Sequence, residues 1–439
     1  MVKKASKKES FYKVLGRYYV IPSIINVPKG SLRIVSRLSA KKLKVIDKNV
    51  DVAKEKILIF LSEFSRGHSL YLADKLEFES VDIHSKKIAK IFGTRKYKVA
   101  LEFLYNSDIL VRPTKNTYKV GEFSMAYMLY NEMITKPFVK YTVLSDKLKN
   151  NLTTLFADQS RFINDNPIAK SAVDTSKNIT LPTEDELIKH AKILISKGWN
   201  NKGKKLAFKR NKTKNDRKIQ KLRKAGIAED ELPKFYYVED GIKLFKLYTD
   251  NGYMLPKIGN YRSGGRVTTS FTLMPKWIRI CLKLNNKSIV GVDYSALHPN
   301  IASKLWGTGE YINHQIIADF LNIPLHTAKI EHLKFFNTTK KGMKRMTIYK
   351  YYKENQPKLL KNLEKTKSKT YKRTSALMFK AEVEIMSEVI SRLEKKNLSN
   401  SIIYVYDEIM TNKKYAQTVK EVMEQVSIDL GYRLYAKIG

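Results

Sequence analysis

The sequence predicts a multidomain α+β protein, and three observations lead to this class. The chain has 439 residues, which at about 150 residues per domain corresponds to about three domains. A hydrophobic content of 43% and an aromatic content of 11% are typical of globular proteins. Segments with helical apolar spacing alternate with short apolar runs that are typical of strands. We therefore predict an N-terminal module at 1–140, a helical connector at 141–250 and a C-terminal domain at 251–439.

The charge of the chain predicts the class of its partner. There are 83 Lys and Arg against 42 Asp and Glu, which gives a net charge of +41. Basic surfaces gain affinity for DNA and RNA because each neutralised phosphate releases a counterion. A lysine-rich source organism is the alternative explanation for part of this excess. We expect nucleic acid as the main partner.

Several classes of protein are excluded by the same sequence. No run of 18 apolar residues is present, so we expect no membrane-spanning helix. The N-terminus MVKKASKKES has no apolar segment after its lysines, so we expect no secretory signal. A single cysteine, Cys281, excludes a disulfide framework and a zinc site built from thiolates. These features predict a cytoplasmic protein, in the host cytoplasm if a phage encodes it.

The first 140 residues have the pattern of a winged helix. Three helical segments and a strand hairpin follow one another at 54–64, 85–93, 95–108 and 109–120. Ser85 is expected to cap the second helix, and Lys96 and Lys98 lie at the exposed start of the third. A helix-turn-helix can place a basic helix in the major groove, so we predict that these two lysines contact nucleic acid. The alternative is a helical subdomain whose hairpin only packs.

The connector is predicted to be mostly helical. Its stretch at 202–224 contains hardly any acid, which predicts either a solvated helix or an arm that follows phosphates. Two acidic clusters, at 184–186 and 229–231, are the kind of residues that a two-metal exonuclease would use. Each cluster precedes a helical pattern, where acidic side chains favour the helix N-terminus. We therefore predict helix starts there and no proofreading exonuclease.

Two short strands of the C-terminal domain end in aspartates. Ser288–Val292 leads into Asp293, and Ser401–Tyr406 leads into Asp407 and Glu408. A hairpin with acidic residues at its bend would explain the second site without any chemistry. Two strand-end aspartates that lie side by side would instead hold two divalent cations, as nucleotidyl transfer requires. Mg²⁺ suits such a site because it needs few protein carboxylates, and Mn²⁺ is an alternative.

From Gly265 to the end, the chain resembles the palm and part of the fingers of family A DNA polymerases and single-subunit phage RNA polymerases. The first catalytic motif of the family, Asp-Tyr-Ser-Gln-Ile-Glu, is similar to Asp293-Tyr-Ser-Ala-Leu-His. The second, Val-His-Asp-Glu, is similar to Val405-Tyr-Asp-Glu. Further weak similarities occur in the family's order at Gly265-Arg-Val-Thr-Thr-Ser, Pro275-Lys-Trp-Ile-Arg-Ile, Lys334-Phe-Phe-Asn, and the helix that begins at Arg373.

The resemblance implies a role for each of these positions. Asp293 and Asp407 would bind the metals, and Glu408 would support them. Lys334, Lys329 and Asn337 would bind the incoming triphosphate, although Ile330 stands where the family has an arginine. The resemblance also implies contacts with nucleic acid or the nucleotide by Arg266, Arg279, Arg373, His298 and Tyr294.

Two of these side chains carry finer expectations. His298 occupies the position at which a bulky side chain crowds the ribose 2′-hydroxyl, so we expect a preference for deoxynucleotides. Tyr294 is expected either to stack near the nucleotide or to lie in the core.

The resemblance implies a compact DNA polymerase without proofreading, in which the connector serves as a thumb. The fingers are expected to be reduced, because the span between the two aspartates is shorter than in full-length replicative members. An RNA polymerase or primase of the same fold is one alternative. A non-catalytic phage or plasmid DNA-binding replication protein with a degenerate palm is the other.

Overall fold

The structure, a computed structural model, describes residue 19 and the ranges 21–73, 80–112, 125–130, 138–201, 203–208, 212–225, 232, 234–368 and 370–439. It has the predicted α+β composition. The chain divides into two compact units, one formed by 1–160 with 246–252 and the other by 161–245 with 253–439. Of the predicted connector, residues 141–160 and 246–250 lie in the first unit and residues 161–245 in the second.

The first unit contains seven of the helices that the structure describes. They are α1 (Lys29–Ser36), α2 (Ala40–Leu43), α3 (Val50–Ser62), α4 (Ser65–Leu72), α5 (Ser85–Phe92), α6 (Tyr97–Asn106) and α7 (Asp146–Arg161). Its strands are β1 (Ile24–Pro28), β2 (Val81–Asp82), β3 (Leu110–Val111), β4 (Ala126–Leu129) and β5 (Phe138–Thr142). The strands form an antiparallel β1–β5 pair and an antiparallel sheet in the order β2-β4-β3.

Helix α3 forms the centre of the first unit. Asn49 caps this helix. Most residues of the helix are buried, because the segment is apolar on several faces. The Phe60 ring packs against Phe64, Phe92 and Tyr127 with centroids 5.8, 5.8 and 6.1 Å away. Glu55 is buried on the same helix, but it accepts hydrogen bonds from backbone and side-chain donors at the end of β5. This carboxylate therefore joins α3 to β5.

The structure describes only part of the segment in which the sequence predicts a winged helix. The helices predicted at 54–64, 85–93 and 95–108 correspond to α3, α5 and α6. His84 rather than Ser85 caps α5, because its ring accepts the Lys86 N–H at 3.1 Å and Ser85 is already helical. Strand β3 pairs with β4, whereas the predicted hairpin strand at 117–120 lies outside the described residues.

The second unit contains the remaining described elements. Its helices are α8 (Pro167–Ser176), α9 (Glu184–Ser196), α10 (Lys212–Lys224), α11 (Val238–Thr249, which ends in the first unit), α12 (Ser270–Leu273), α13 (Lys276–Arg279), α14 (Leu297–Trp306), α15 (His314–Leu321), α16 (Leu325–Phe335), α17 (Lys340–Met343), α18 (Ile348–Asn355), α19 (Pro357–Lys367), α20 (Lys372–Lys395) and α21 (Ala416–Asp429). Its strands are β6 (Ile179–Thr180), β7 (Asn200–Asn201), β8 (Lys204–Ala207), β9 (Lys234–Tyr237), β10 (Lys257–Ile258), β11 (Val267–Thr268), β12 (Lys283–Leu284), β13 (Lys287–Tyr294), β14 (Ile402–Val405), β15 (Glu408–Asn412) and β16 (Ala436–Ile438).

A six-stranded antiparallel sheet organises the second unit. Its order is β14-β15-β13-β12-β6, and β16 pairs with the end of β13. Asn285 and Asn286 form the two-residue turn between β12 and β13, and both have the positive φ that such hairpin turns require. Helix α8 packs against β14, helix α21 packs against β13 and β16, and helix α20 packs against both of these helices. The buried residues of α20 recur at helical spacing, so the helix has an apolar stripe that can pack against its neighbours.

The acidic cluster at 184–186 forms a helix start, as predicted. Thr183 caps α9, and Glu186 reaches back to the Thr183 N–H at 2.7 Å in a capping box. The cluster at 229–231 lies outside the described residues. No helix in the described part of the chain combines the length and apolar character that a bilayer span requires.

Candidate active site

Three acidic residues lie at one end of the sheet, one of them on a strand and the other two at the bend and start of the neighbouring strand. Asp293, near the end of β13, lies directly opposite Glu408, the first residue of β15. Asp407 lies in the bend between β14 and β15, and its carbonyl accepts the Tyr294 N–H at 3.4 Å. Positive φ at Tyr406, 61°, makes this bend tight. The fold thus brings Asp293 and the Asp407–Glu408 pair to one end of the sheet, as the sequence predicts.

The electrostatic environment of Asp293 disfavours its charge. Burial, and then the neighbouring carboxylates of Asp407 and Glu408, raise the pKa of Asp293 to about 7. Lys437, which faces Asp293 across the β13–β16 pair, acts in the opposite direction, as does Lys276. The ionised form of Asp293 is therefore disfavoured by its burial and by two acidic neighbours, and the two lysines offset this only in part.

Glu408 is held on the other side by two cations. Lys276 Nζ lies 3.7 Å from one of its carboxylate oxygens and Arg279 Nη2 lies 4.0 Å from the other. Gly291 provides the space for this carboxylate, since a Cβ there would lie 2.1 Å from Glu408 Oε1. A side chain at this position on β13 would displace the Glu408 carboxylate.

Arg279 does not extend toward solvent, which corrects its predicted contact with primer and template. Its Nη1 donates to the Met274 carbonyl at 2.5 Å, and its Nε is buried without a hydrogen-bond partner among the described residues. Burial lowers the pKa of Arg279, and the Glu408 carboxylate opposes that shift. Its role is to hold Glu408.

The predicted contact of Arg266 with primer and template is also corrected, because its guanidinium forms a buried ion pair with Glu382. It donates from Nε to Glu382 at 2.7 Å, and its Nη2 forms a second short contact with the same carboxylate. The guanidinium carbon lies 3.6 Å from the Phe379 ring centroid and 5.0 Å from that of Tyr406. Arg266 therefore positions the β14–β15 bend instead of binding phosphates.

His298 belongs to the same network. Its Nε2 lies 2.9 Å from Glu382 Oε2 and 3.4 Å from Arg266 Nη2. The ring is half-buried, and its centroid lies 5.6 Å from that of Phe379. The structure thus joins His298 to Arg266 through Glu382, and its predicted role in choosing the sugar stays a prediction.

Tyr294 lies in the core, which is the second of its two predicted alternatives. Only 3% of the residue is exposed, and its hydroxyl donates to the Met423 carbonyl at 2.6 Å. A side chain buried in this way cannot stack on a nucleotide without leaving the core, so its predicted nucleotide contact is wrong.

The predicted fingers residues lie on α16, just after it, and at the start of α20. Lys329, Lys334 and Arg373 are exposed. Asn337 is exposed as well; its amide donates to the Leu333 carbonyl at 2.7 Å, and its Oδ1 accepts the Ser375 hydroxyl at 2.5 Å. These bonds join the end of α16 to α20, and the predicted nucleotide contact of Asn337 stays a prediction. Lys96 and Lys98 are exposed at the start of α6 in the other unit.

Three residues of the site were missed in the sequence. Glu382 could have been found, because it is a charged residue on the apolar stripe of α20 and is fully buried. Lys276 and Lys437 carry no such signal, since both are exposed lysines in a lysine-rich chain. Their relation to the carboxylates depends on strand and helix placement.

The donor set fits Mg²⁺, although weakly. Within the described residues no three His, Cys, Asp or Glu side chains are grouped so that they could hold a metal ion by themselves. Mg²⁺, however, commonly uses one or two carboxylates and completes its shell with water and substrate phosphates. Burial and the neighbouring carboxylates of Asp407 and Glu408 raise the pKa of Asp293, and a divalent cation would relieve the repulsion between these carboxylates.

Asp293 predicts a pH dependence of stability in the absence of divalent cations. Its pKa is about 7 in the folded protein and 3.8 ordinarily, so the folded state keeps a proton that the unfolded state releases. The free energy of unfolding should therefore fall as pH rises from about 4 to about 7. Urea unfolding in EDTA at several pH values measures this, and Asp293→Asn should flatten the profile. An equally steep fall in that variant would contradict the assignment.

Comparisons with known proteins add little. No protein-family model matches the chain, and no curated protein sequence matches it. Among solved structures, the chain is similar to the POL domain of Pol1 from M. smegmatis in complex with DNA primer-template and dNTP. The TM-score is 0.37 and the identity 10%, over 67% of this chain and 73% of that chain. A similarity this low carries no argument about function, which has to come from the geometry of the site.

Proposed function

We propose that the protein is a template-directed nucleotidyltransferase, and more specifically a compact DNA polymerase without proofreading. One observation carries the proposal: Asp293 and Glu408 face each other in register, and Asp407 lies at the adjoining bend. A scaffold that only binds DNA gains nothing from this arrangement, because the carboxylates repel one another and the nucleic acid. The net charge of +41 supports nucleic acid as the substrate.

The proposed reaction needs few groups of the protein. The 3′-hydroxyl oxygen of a primer attacks the α-phosphorus of a nucleoside triphosphate and gives up its proton to solvent, the bond between the α-phosphorus and the oxygen that bridges to the β-phosphate breaks, and pyrophosphate leaves. Asp293 and Asp407 would hold two Mg²⁺ ions, and Glu408 would support them from its position between Lys276 and Arg279. The bound ions would supply Lewis-acid charge at the attacking and leaving oxygens. Lys334 and Lys329 would hold the triphosphate as exposed cations.

A second function is favoured by a specific observation. Arg266 and Arg279, the two arginines expected to grip primer and template, are both used to hold glutamates. That use of arginines is compatible with a non-catalytic DNA-binding replication protein. The position of Asp293 opposite Glu408 and beside Asp407 favours the enzyme, because a protein without a cation at this site gains nothing from placing these acidic residues together.

Primer extension with Mg²⁺ tests the proposal. The native chain should extend a primer, and Asp293→Asn and Asp407→Asn should each lower the rate by about 100-fold or more, because several kcal/mol of charge stabilisation are lost. Both variants should still bind primer-template in fluorescence anisotropy. Asp319→Asn, the same change at an exposed aspartate of α15, is the matched control and should extend normally.

The same assay separates the alternatives. Absence of extension by the native chain with Mg²⁺ and with Mn²⁺, on DNA and on RNA templates, would leave the DNA-binding function. Equal or better use of ribonucleotides would indicate an RNA polymerase or primase and would contradict the expected role of His298.

A further inference from the structure

A strongly basic segment of the second unit lies outside the carboxylate site. Residues 340–373 contain thirteen lysines and arginines against two glutamates, Glu354 and Glu364. Helices α18 and α19 pack against each other within this segment. Most of the basic side chains are exposed, so the segment presents a positive surface that the proposed reaction does not use.

A cleft of about 440 Å³ opens in this surface. Four exposed lysines line it: Lys340 of α17, Lys353 of α18, and Lys361 and Lys365 of α19. The cleft is large enough for part of an extended chain or for a small ligand. Its position is set by the three helices, so the lysines belong to one surface although they are distant in sequence.

The charge of the cleft is largely unneutralised. Glu364 is its one acidic lining residue, and it is paired with Lys340 at 2.9 Å and accepts the Tyr349 hydroxyl at 3.1 Å. Burial alone would raise the pKa of Glu364, but Lys340 and Tyr349 outweigh it, so the pKa lies below its ordinary value. Lys353, Lys361 and Lys365 form no ion pair in the part of the chain that the structure describes. Three free cations therefore face one opening.

Two of the lysines follow one another along α19, and the lining of the cleft is partly apolar. Lys361 and Lys365 are one helical turn apart, which is about 6 Å along α19, and Lys353 lies on the neighbouring helix. Such spacing suits successive phosphates of a chain better than one compact triphosphate, which needs donors that converge. The rest of the lining is formed by Tyr349, Pro357, Ser368 and the largely buried Leu360. Grooves for single strands combine a positive track with apolar or aromatic surface that bases can contact.

We propose that this cleft binds a single strand of nucleic acid through its phosphates, with bases or sugars against Tyr349 and Pro357. The origin of that strand, as template overhang or displaced strand, rests on the proposed function. Binding itself does not rest on it, because no reaction is required. A duplex exposes mainly its backbone and would make fewer of the apolar contacts.

The test measures binding without catalysis, in an Asp293→Asn background and without nucleotides. The measured quantity is the slope of log affinity against log salt concentration for a labelled single-stranded oligonucleotide. The triple change Lys353→Gln/Lys361→Gln/Lys365→Gln should reduce the magnitude of this slope by about 2, because each lost phosphate contact removes about 0.7. If affinities converge at 1 M salt, the loss at 0.1 M is on the order of 100-fold. The matched control, Lys189→Gln/Lys192→Gln/Lys197→Gln, removes three exposed lysines on and next to α9.

Several outcomes would overturn the proposal. Equal loss in the control triple would show that net charge alone explains binding. Equal loss of affinity for a duplex of the same length would remove the argument for a single strand. Competition by a nucleoside triphosphate at matched phosphate concentration would assign the cleft to a free nucleotide.

Cross-linking locates the strand on the native chain. An oligonucleotide with 5-iodouracil in the template overhang, or in the displaced strand, should cross-link to Tyr349 on irradiation, and the position that reacts identifies the strand. Cross-links found only outside 340–368 would refute the site. Primer extension distinguishes failure of the two proposals. If the native chain does not extend a primer but the cleft still binds the oligonucleotide, only the proposed function fails. If extension proceeds but the triple change leaves binding unaffected, only the cleft proposal fails.

Discussion

Replacing Glu382 with alanine is expected to lower the free energy of unfolding by about 3–5 kcal/mol and to abolish nucleotidyl transfer. Glu382 is fully buried, and it accepts from Arg266 Nε at 2.7 Å and contacts His298 Nε2 at 2.9 Å. Burial by itself would raise its pKa, but His298 and Arg266 outweigh burial, so the pKa of Glu382 lies below its ordinary value. The variant would leave the Arg266 cation largely buried without its partner.

The loss of activity follows from the position of Arg266. Its guanidinium lies against the Phe379 and Tyr406 rings, and Tyr406 immediately precedes Asp407. Without Glu382 the Arg266 guanidinium loses the ion pair that holds it against these rings. The bend that places Asp407 then loses its contact with Arg266.

Urea unfolding and primer extension measure the two effects. Glu384→Ala, on the same helix α20 but with 60% of its side chain exposed, is the matched control. Its weak pair with Lys380 predicts a loss below about 1 kcal/mol. Similar losses in both variants would show that Glu382 is not an essential buried partner.

Replacing Gly264 with alanine is expected to destabilise the second unit by about 2–5 kcal/mol, from left-handed backbone strain and overpacking together. Gly264 has φ +62°, and a Cβ there would lie 2.3 Å from Lys380 N and 2.4 Å from the Phe379 carbonyl carbon. These are backbone atoms within α20, which cannot yield without breaking the helix. The turn before Arg266 would therefore have to move away from α20.

Gly309 provides the control for this prediction. It has φ +81°, but a Cβ there meets nothing within 4 Å. Gly309→Ala should therefore cost only the backbone strain, about 1–2 kcal/mol. Equal destabilisation of the two alanine variants in urea unfolding would contradict the close contact at Gly264.

The fold class and the ends of the key strands could be predicted because they depend on local pattern. The apolar run that ends at Asp293 became β13, and the run that ends at Asp407 became β14, with a bend and a return strand after it. The helix start at 184–186 was predicted for the same reason, since capping involves residues three positions apart.

The partners of the charged residues could not be predicted, because they are distant along the chain. Arg266 and Glu382 are 116 positions apart, yet they form one buried pair. The sequence around a basic residue does not distinguish a side chain that binds a phosphate from one that pairs with a carboxylate of the protein. Arg266 and Arg279 were therefore assigned to ligands that the fold replaces with glutamates.

The sequence by itself determined the α+β class, the strong positive charge, and the placement of Asp293 and Asp407 at strand ends, because apolar periodicity and composition are local properties. Only the tertiary structure decided that Glu408 lies between Lys276 and Arg279, that Glu382 holds Arg266 and His298, and that lysines of three helices share one cleft. Each of these depends on how strands and helices pack, and packing selects among charged partners that the sequence pattern leaves equivalent.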